Sequence, residues 1–122
     1  MRESSGPEPR VLGASGVALE PIVGDGARYT FGQPLLAASD GAGGFDIRVV
    51  RIRPGGVSAD HSHPWEQANY VLSGTGEVTL GEDRRTIGAD DFVYVPPMLR
   101  HVFSNTGADD LVLFSTLGPK TT

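Results

Sequence analysis

What most limits the fold of this chain is how often it is interrupted. Seventeen glycines and nine prolines divide its 122 residues into short apolar runs. No window of a dozen residues sustains the i, i+3, i+4, i+7 apolar spacing of an amphipathic helix. Instead, β-type runs recur at intervals of about ten residues: 27–31 (ARYTF), 45–52 (FDIRVVRI), 67–73 (QANYVLS), 77–80 (EVTL), 84–87 (RRTI), 91–95 (DFVYV), 100–104 (RHVFS) and 111–116 (LVLFST). Turn-forming stretches such as GAGG (41–44), RPGG (53–56), SGTG (73–76) and NTGADD (105–110) lie between them. GAGG is followed by no Lys-Ser/Thr pair and no helix, so it reads as a loop and not a phosphate cradle. About eight short strands with tight connections predict an all-β sandwich or small barrel, closed enough to hold one small ligand.

The length suits one domain, which buries roughly two thirds of the surface of its unfolded chain. Fifteen acidic against ten basic residues give a net charge of −5, and no Lys/Arg run offers a footprint for phosphate backbones, so no nucleic-acid partner is expected. The absence of cysteine excludes disulfides, thiolate metal sites and a cysteine nucleophile. The opening MRESSGPEPR lacks a signal-peptide core, and no segment approaches the ~20 apolar residues of a membrane span, so no membrane association and a cytoplasmic location are expected. Residues 1–10 read as a flexible tail and residues 11–122 as a single domain, in which 11–26 has no clear assignment.

Chemistry concentrates in the three histidines, His61, His63 and His101. Residues i and i+2 of a strand point to one side, so His61 and His63 can present both imidazoles to one point. His101 follows a run ending in VPP. The spacing around them resembles the first motif of the cupin superfamily: Gly55, five residues, His61, one residue, His63, three residues, Gln67, six residues, Gly74. DDFVYVPPMLRHVFSN (90–105) resembles the second, with Pro96, His101 and Asn105 in register. The resemblance implies a double-stranded β-helix, the jelly-roll cupin barrel, with an extended N-terminal arm, motif one at 55–74 and motif two at 90–105. Asp90 and Met98 stand where that pattern has glycine, and Gln67 where it usually has glutamate.

Parity from His63 puts Gln67 on the histidine side and turns Glu66 away. Small single-domain cupins, including the uronate-ketonising proteins of pectin metabolism, resemble this arrangement. By that likeness His61, His63, Gln67 and His101 would hold one divalent transition metal: Ni, Zn, Fe, Cu or Mn. Three imidazoles and an amide leave the metal its full charge, which favours Lewis-acid chemistry over oxidation. The same proteins place an acid on the last strand and an arginine after it; the matching positions here are Ser115 and Thr121, with Lys120 beside the latter. No general acid or base is thereby identified, and a metal-bound water or hydroxide is the expected base.

Three further residues are expected at the substrate. Phe103 and Asn69 follow the histidines inward by parity, Asn69 either meeting a substrate oxygen or satisfying backbone groups. Arg48 points inward if Val50 and Ile52 do, and outward in the alternative phase with Ile47, Val49 and Arg51 inside. Trp65, Tyr70 and Tyr94 read as packing or interface residues. Tyr70 with Ala68 and Leu72 forms an outer face suited to a homodimer. The expected activity is redox-neutral turnover of a small oxygenated metabolite by an isomerase, cyclase, dehydratase or decarboxylase type of lyase or isomerase. An Fe(II)-dependent dioxygenase of quercetinase type and a non-catalytic metabolite- or sugar-binding module are the alternatives.

Overall fold

A computed structural model describes residues 8–41 and 43–120. Among the described residues, nine strands form: β1 (Glu20–Pro21), β2 (Arg28–Leu36), β3 (Asp46–Val57), β4 (Glu66–Ser73), β5 (Thr75–Leu80), β6 (Asp83–Gly88), β7 (Phe92–Val95), β8 (His101–Asn105) and β9 (Leu111–Gly118). All pairings are antiparallel and run β6-β5-β8-β3-β9-β4-β7, with β2 on the free side of β3 and β1 on β2. The sheet is a single curled jelly roll whose inner face carries the core: Val50, Ile52, Val71, Val78, Ile87, Val93, Val95, Phe103, Leu111 and Leu113. Strict alternation produces that face. On β4, Gln67, Asn69 and Val71 are buried while Glu66, Tyr70 and Leu72 are exposed. The outer face joins Tyr70 to Phe92 and Phe114 through cross-strand pairing, all three exposed. Among the described residues, no helix is long and apolar enough to cross a membrane.

Three features depart from the sequence reading. First, β2 runs on to Leu36 through Gly32 and Pro34, where breakers suggested an end at residue 31. Only the two-residue β1 flanks it outside, and such an edge tolerates a proline that a central strand would not. Second, β1 itself lies in the unassigned stretch. Gln33 is 3 % exposed and staples this arm, its Nε2 donating to the carbonyls of Ala14 and Val17 at 2.9 Å each while its Oε1 accepts from Arg51 Nε at 2.8 Å. The expected flexible tail falls mostly outside the described residues, but Arg10 at its end donates to Leu35 O at 3.1 Å.

Third, RPGG does not end a strand. β3 bulges between its pairing of Ile52 with Thr30 and that of Val57 with Arg28, then reaches β8 at Ser104. Gly55 takes φ +79°, and a Cβ on Gly56 would sit 2.8 Å from Arg53 O and 2.9 Å from Ile52 Cγ2, so only glycines let the chain bend here. The bend carries β3 across to the second half of the roll and delivers the following residues, up to His61, to its mouth.

Asp90 and Met98 both adopt the left-handed conformation that glycine would take without cost, at φ 74° and 69°. Met98 is exposed and its side chain makes no hydrogen bond, whereas Asp90 accepts one from Tyr70 Oη at 2.8 Å. Met98→Gly should therefore raise unfolding stability by about 1 kcal/mol in urea denaturation. Asp90→Gly should gain less, because aspartate tolerates this conformation better and the tyrosine contact is lost. A destabilised Met98→Gly would refute this account of the turn.

Candidate metal centre

The three histidines converge. Their nearest ring nitrogens all lie within 4.8 Å of one another, and the ring centroids are 4.7 to 5.2 Å apart. The backbone fixes this convergence. His61 and His101 form an isolated antiparallel bridge in which His101 N donates to His61 O at 2.9 Å, and Met98 N donates to His63 O at 2.7 Å. Outside the bridge, Arg100 grips Asp60 with two hydrogen bonds of 2.7 and 2.8 Å, tying the residues that precede His61 and His101. That contact, first of all, holds the Asp60 carboxyl below its ordinary range.

The carbonyls behind the rings select the tautomers. His101 Nδ1 donates to Leu99 O at 2.9 Å and His63 Nδ1 to Trp65 O at 3.0 Å, so the neutral rings offer their Nε2 lone pairs. Burial pushes the His101 imidazole down to about 4 and lowers that of His61, leaving both neutral at neutral pH. His101 Nε2 is buried without any partner, a state that costs about 1–3 kcal/mol unless something accepts the lone pair.

Gln67 completes the wall. Its Nε2 donates to Asn69 Oδ1 at 3.0 Å, and Asn69 is oriented in turn by donating from Nδ2 to Val93 O at 3.2 Å. Ser115 Oγ donates to the same Asn69 Oδ1 at 2.7 Å. The relay turns Gln67 Oε1 toward His63 Nε2, 3.1 Å away. A carbonyl oxygen lies at each nitrogen of His63, so a neutral ring sets one lone pair against another. A cation between Nε2 and Oε1 resolves that conflict, as does a doubly protonated ring. With the orphaned His101 nitrogen, this is a donor set that fits a divalent transition metal.

Glu66, by contrast, is exposed and accepts from Tyr94 Oη at 2.5 Å. His61, Gln67, His101, Arg48 and Phe103 line one cavity with Ile22, Thr30, Val50, Ile52, Ser58, Ala59, Leu113 and Ser115. Asn69 does not line it: its side chain is spent on the relay behind Gln67. Thr121 lies outside the described residues. The lining contains no carboxylate, lysine or tyrosine, and its hydroxyls are all engaged, Thr30 on Val57 O, Ser58 accepting from Phe103 N, and Ser115 on Asn69. The enclosed space is about 30 Å³, enough for a water or two and not for a whole metabolite.

Sequence reasoning missed the roles of Ser115 and Trp65. Ser115 is the one polar residue in the inward alternation Leu111, Leu113, Ser115, Leu117 and sits opposite Asn69, so the signal was present. Trp65 stacks on His63 with centroids 5.1 Å apart and planes at 12°, and Lys120 Nζ lies over the Trp65 ring, 4.5 Å from its centroid. Lys120 is itself held by Asp46, whose carboxyl stays below its ordinary range because this partner and the Ala38 amide outweigh its burial.

A family model described as a cupin domain matches residues 48–117. Protein SchB of Streptomyces halstedii is 33% identical over 86 residues, covering 70% of this chain and 62% of that protein. The polyketide synthase CurC of Streptomyces cyaneus is 29% identical over 112 residues, covering 91% of this chain and 70% of that one. The chain thus spans somewhat less than two thirds of the first relative's length. The solved structure of the polyketide cyclase RemF from Streptomyces resistomycificus superposes with a TM-score of 0.83 over 93% of this chain and 81% of that one; at 22% identity the likeness is one of fold.

Two outcomes follow for metal binding. Gln67→Ala should lower metal content far more than Glu66→Ala when both are purified alike and measured by elemental analysis; equal losses would refute the outward placement of Glu66. Trp65 is the only tryptophan, and its stacking on His63 should make its fluorescence fall on titration with Co(II) or Cu(II) but not with Zn(II), since only the open-shell ions quench at such range. An unchanged emission with metal bound would place the ion elsewhere.

Proposed function

The chain belongs to the cupin domain family, and from that premise we propose that it is a metal-dependent enzyme of redox-neutral, cyclase type. Its substrate would be a small enolisable metabolite chelated through carbonyl or hydroxyl oxygens. The observation that carries this reading is the convergence of three imidazoles, His63 and His101 buried and His61 exposed, with the buried His101 Nε2 left unpartnered. His61, His63 and His101 hold the metal, and Gln67 joins them through the oxygen that Asn69 and Ser115 turn inward. The chemistry a bound metal supplies is Lewis acidity toward a substrate oxygen. A donor set without a carboxylate leaves that acidity undiminished and supports redox-neutral chemistry over oxidation.

Val50, Ile52, Phe103 and Leu113 make the rest of the wall apolar, so few waters compete with the substrate and charge interactions inside are strengthened. Thr30 and Ser115 donate their hydroxyls to other protein groups, and the imidazole lone pairs are given to the metal, so the lining supplies no carboxylate, lysine or tyrosine and no free imidazole as a base. The enclosed space admits the chelating tip of a substrate, its remainder lying toward the mouth past Ile22. Relatives named as a polyketide synthase and a polyketide cyclase support an oxygen-rich, enolisable substrate.

Elemental analysis of the purified protein, followed by oxygen-consumption measurements with β-polyketones, tests the reading. Stoichiometric metal and substrate turnover without oxygen uptake are expected. Iron with substrate-dependent oxygen uptake would assign a dioxygenase instead, and protein that holds no metal would overturn the proposal.

A further inference from the structure

Among the described residues, Arg48 is the only lysine or arginine lining the histidine cavity, and none of them forms a hydrogen bond or ion pair with its guanidinium. It leaves β3 on the face of Val50 and Ile52, which settles the phase that sequence left open. Its Nε is buried without a hydrogen-bond partner, and the guanidinium makes no hydrogen bond or ion pair to any described residue. The nearest candidate counter-ion, Asp46, attracts it, yet that carboxylate is already engaged by Lys120 Nζ and by the Ala38 amide. Glu20 lines the groove on the outer side of Arg48 and forms no ion pair with it. Burial disfavours the Arg48 charge, as expected for a cation left without a partner.

Arg48 lines both the histidine cavity and the outer groove, where Gly32 leaves space for Ile22: a Cβ there would lie 3.1 Å from Ile22 Cδ1, while its 3.8 Å to Arg48 Cδ would be an ordinary contact. A half-buried arginine whose Nε–H is buried and idle, in a cavity lining that holds His61 and His101 and no carboxylate, makes a site of positive charge without a protein counter-ion in that lining.

The geometry points to Arg48 as the anchor for a carboxylate on the substrate, set beside the histidines so that one molecule gives its anionic end to Arg48 and its carbonyl or hydroxyl oxygens to the metal. The planar fork of arginine suits a carboxylate held by two parallel hydrogen bonds. This deepens the metal-dependent reading above and rests on it: the substrate class becomes an oxo- or hydroxy-carboxylate rather than a neutral polyketone.

The test uses 3,5-dioxohexanoate, a β-diketone chelator bearing a carboxylate, and its neutral methyl ester. Both are titrated calorimetrically into wild-type protein, Arg48→Lys and Arg48→Gln, with and without added Zn(II), and zinc content and melting temperature are measured for each. The acid should bind wild type at least about tenfold tighter than the ester, the advantage of a charge-assisted pair. Arg48→Gln should lose that preference with zinc content and ester affinity unchanged, and Arg48→Lys should keep part of it. Zinc-loaded wild type without a preference for the acid, or a preference that survives in Arg48→Gln, would overturn the anchor while leaving the metal reading standing. Protein that takes up no zinc but still prefers the acid through Arg48 would overturn the metal reading and support the anchor. Should both variants fail to fold, the wild-type comparison of acid with ester decides.

Discussion

Everything at the centre of this barrel follows from one constraint: a wall closed to water must satisfy its own polar atoms. β4 and β9 pair so that Asn69 faces Ser115 on the inside, and both are almost wholly buried. Neither could stay there unpaired without a cost of about 1–3 kcal/mol each. Their solution, a serine donating to an asparagine oxygen that also receives the Gln67 amide, fixes three side chains at once. The carbonyls of Leu99 and Trp65 do the same for His101 and His63. What these bonds leave over, one unpartnered imidazole nitrogen and one inward amide oxygen, is the candidate site. Among the described residues, two further buried side-chain atoms, Arg48 Nε and Trp65 Nε1, are also left without a hydrogen-bond partner.

The period-two pattern made much of this legible. Alternation alone separated Gln67 from Glu66, because a one-residue slip would have exposed Val71 and buried Tyr70. Strand order and the convergence of His101 on the H-x-H pair depend on pairings that no local pattern states; there, only resemblance to a known motif supplied the register. The bend at Arg53–Gly56 was misread because glycine and proline mark both turns and bulges, and the difference lies in whether partners on each side resume the ladder. Asn69 was placed on the correct face, and of its two expected roles the structure shows the second, its Nδ2 donating to the backbone carbonyl of Val93. Parity gives a direction, while depth depends on Ser115, which lies 46 residues away in sequence.

The N-terminal arm shows the same division. Its short β1 and the turn at Ala14–Gly16 have little propensity of their own. They are ordered by Gln33, a buried amide on β2 whose donors need carbonyls that only the arm provides. The arm in turn brings Ile22 to the cavity, where it packs against the core and narrows the space before the histidines. A segment that reads as unassigned in sequence is thus fixed by the polar demands of a residue ten or more positions away, and its placement determines how much of a substrate can reach the centre.

The amide at position 67 is also a consequence of the wall and not only a choice of metal ligand. Asn69 Oδ1 already accepts from Ser115, and Asn69 cannot turn over without abandoning its bond to Val93 O. The atom of residue 67 that faces it at 3.0 Å must therefore be a donor. A glutamate here would set a carboxylate oxygen against an oxygen in a buried setting, or demand a proton for itself. Keeping glutamine leaves the cavity lining without a carboxylate, and Arg48 belongs to the same lining. Together they make the cavity most complementary to a ligand that brings its own negative charge.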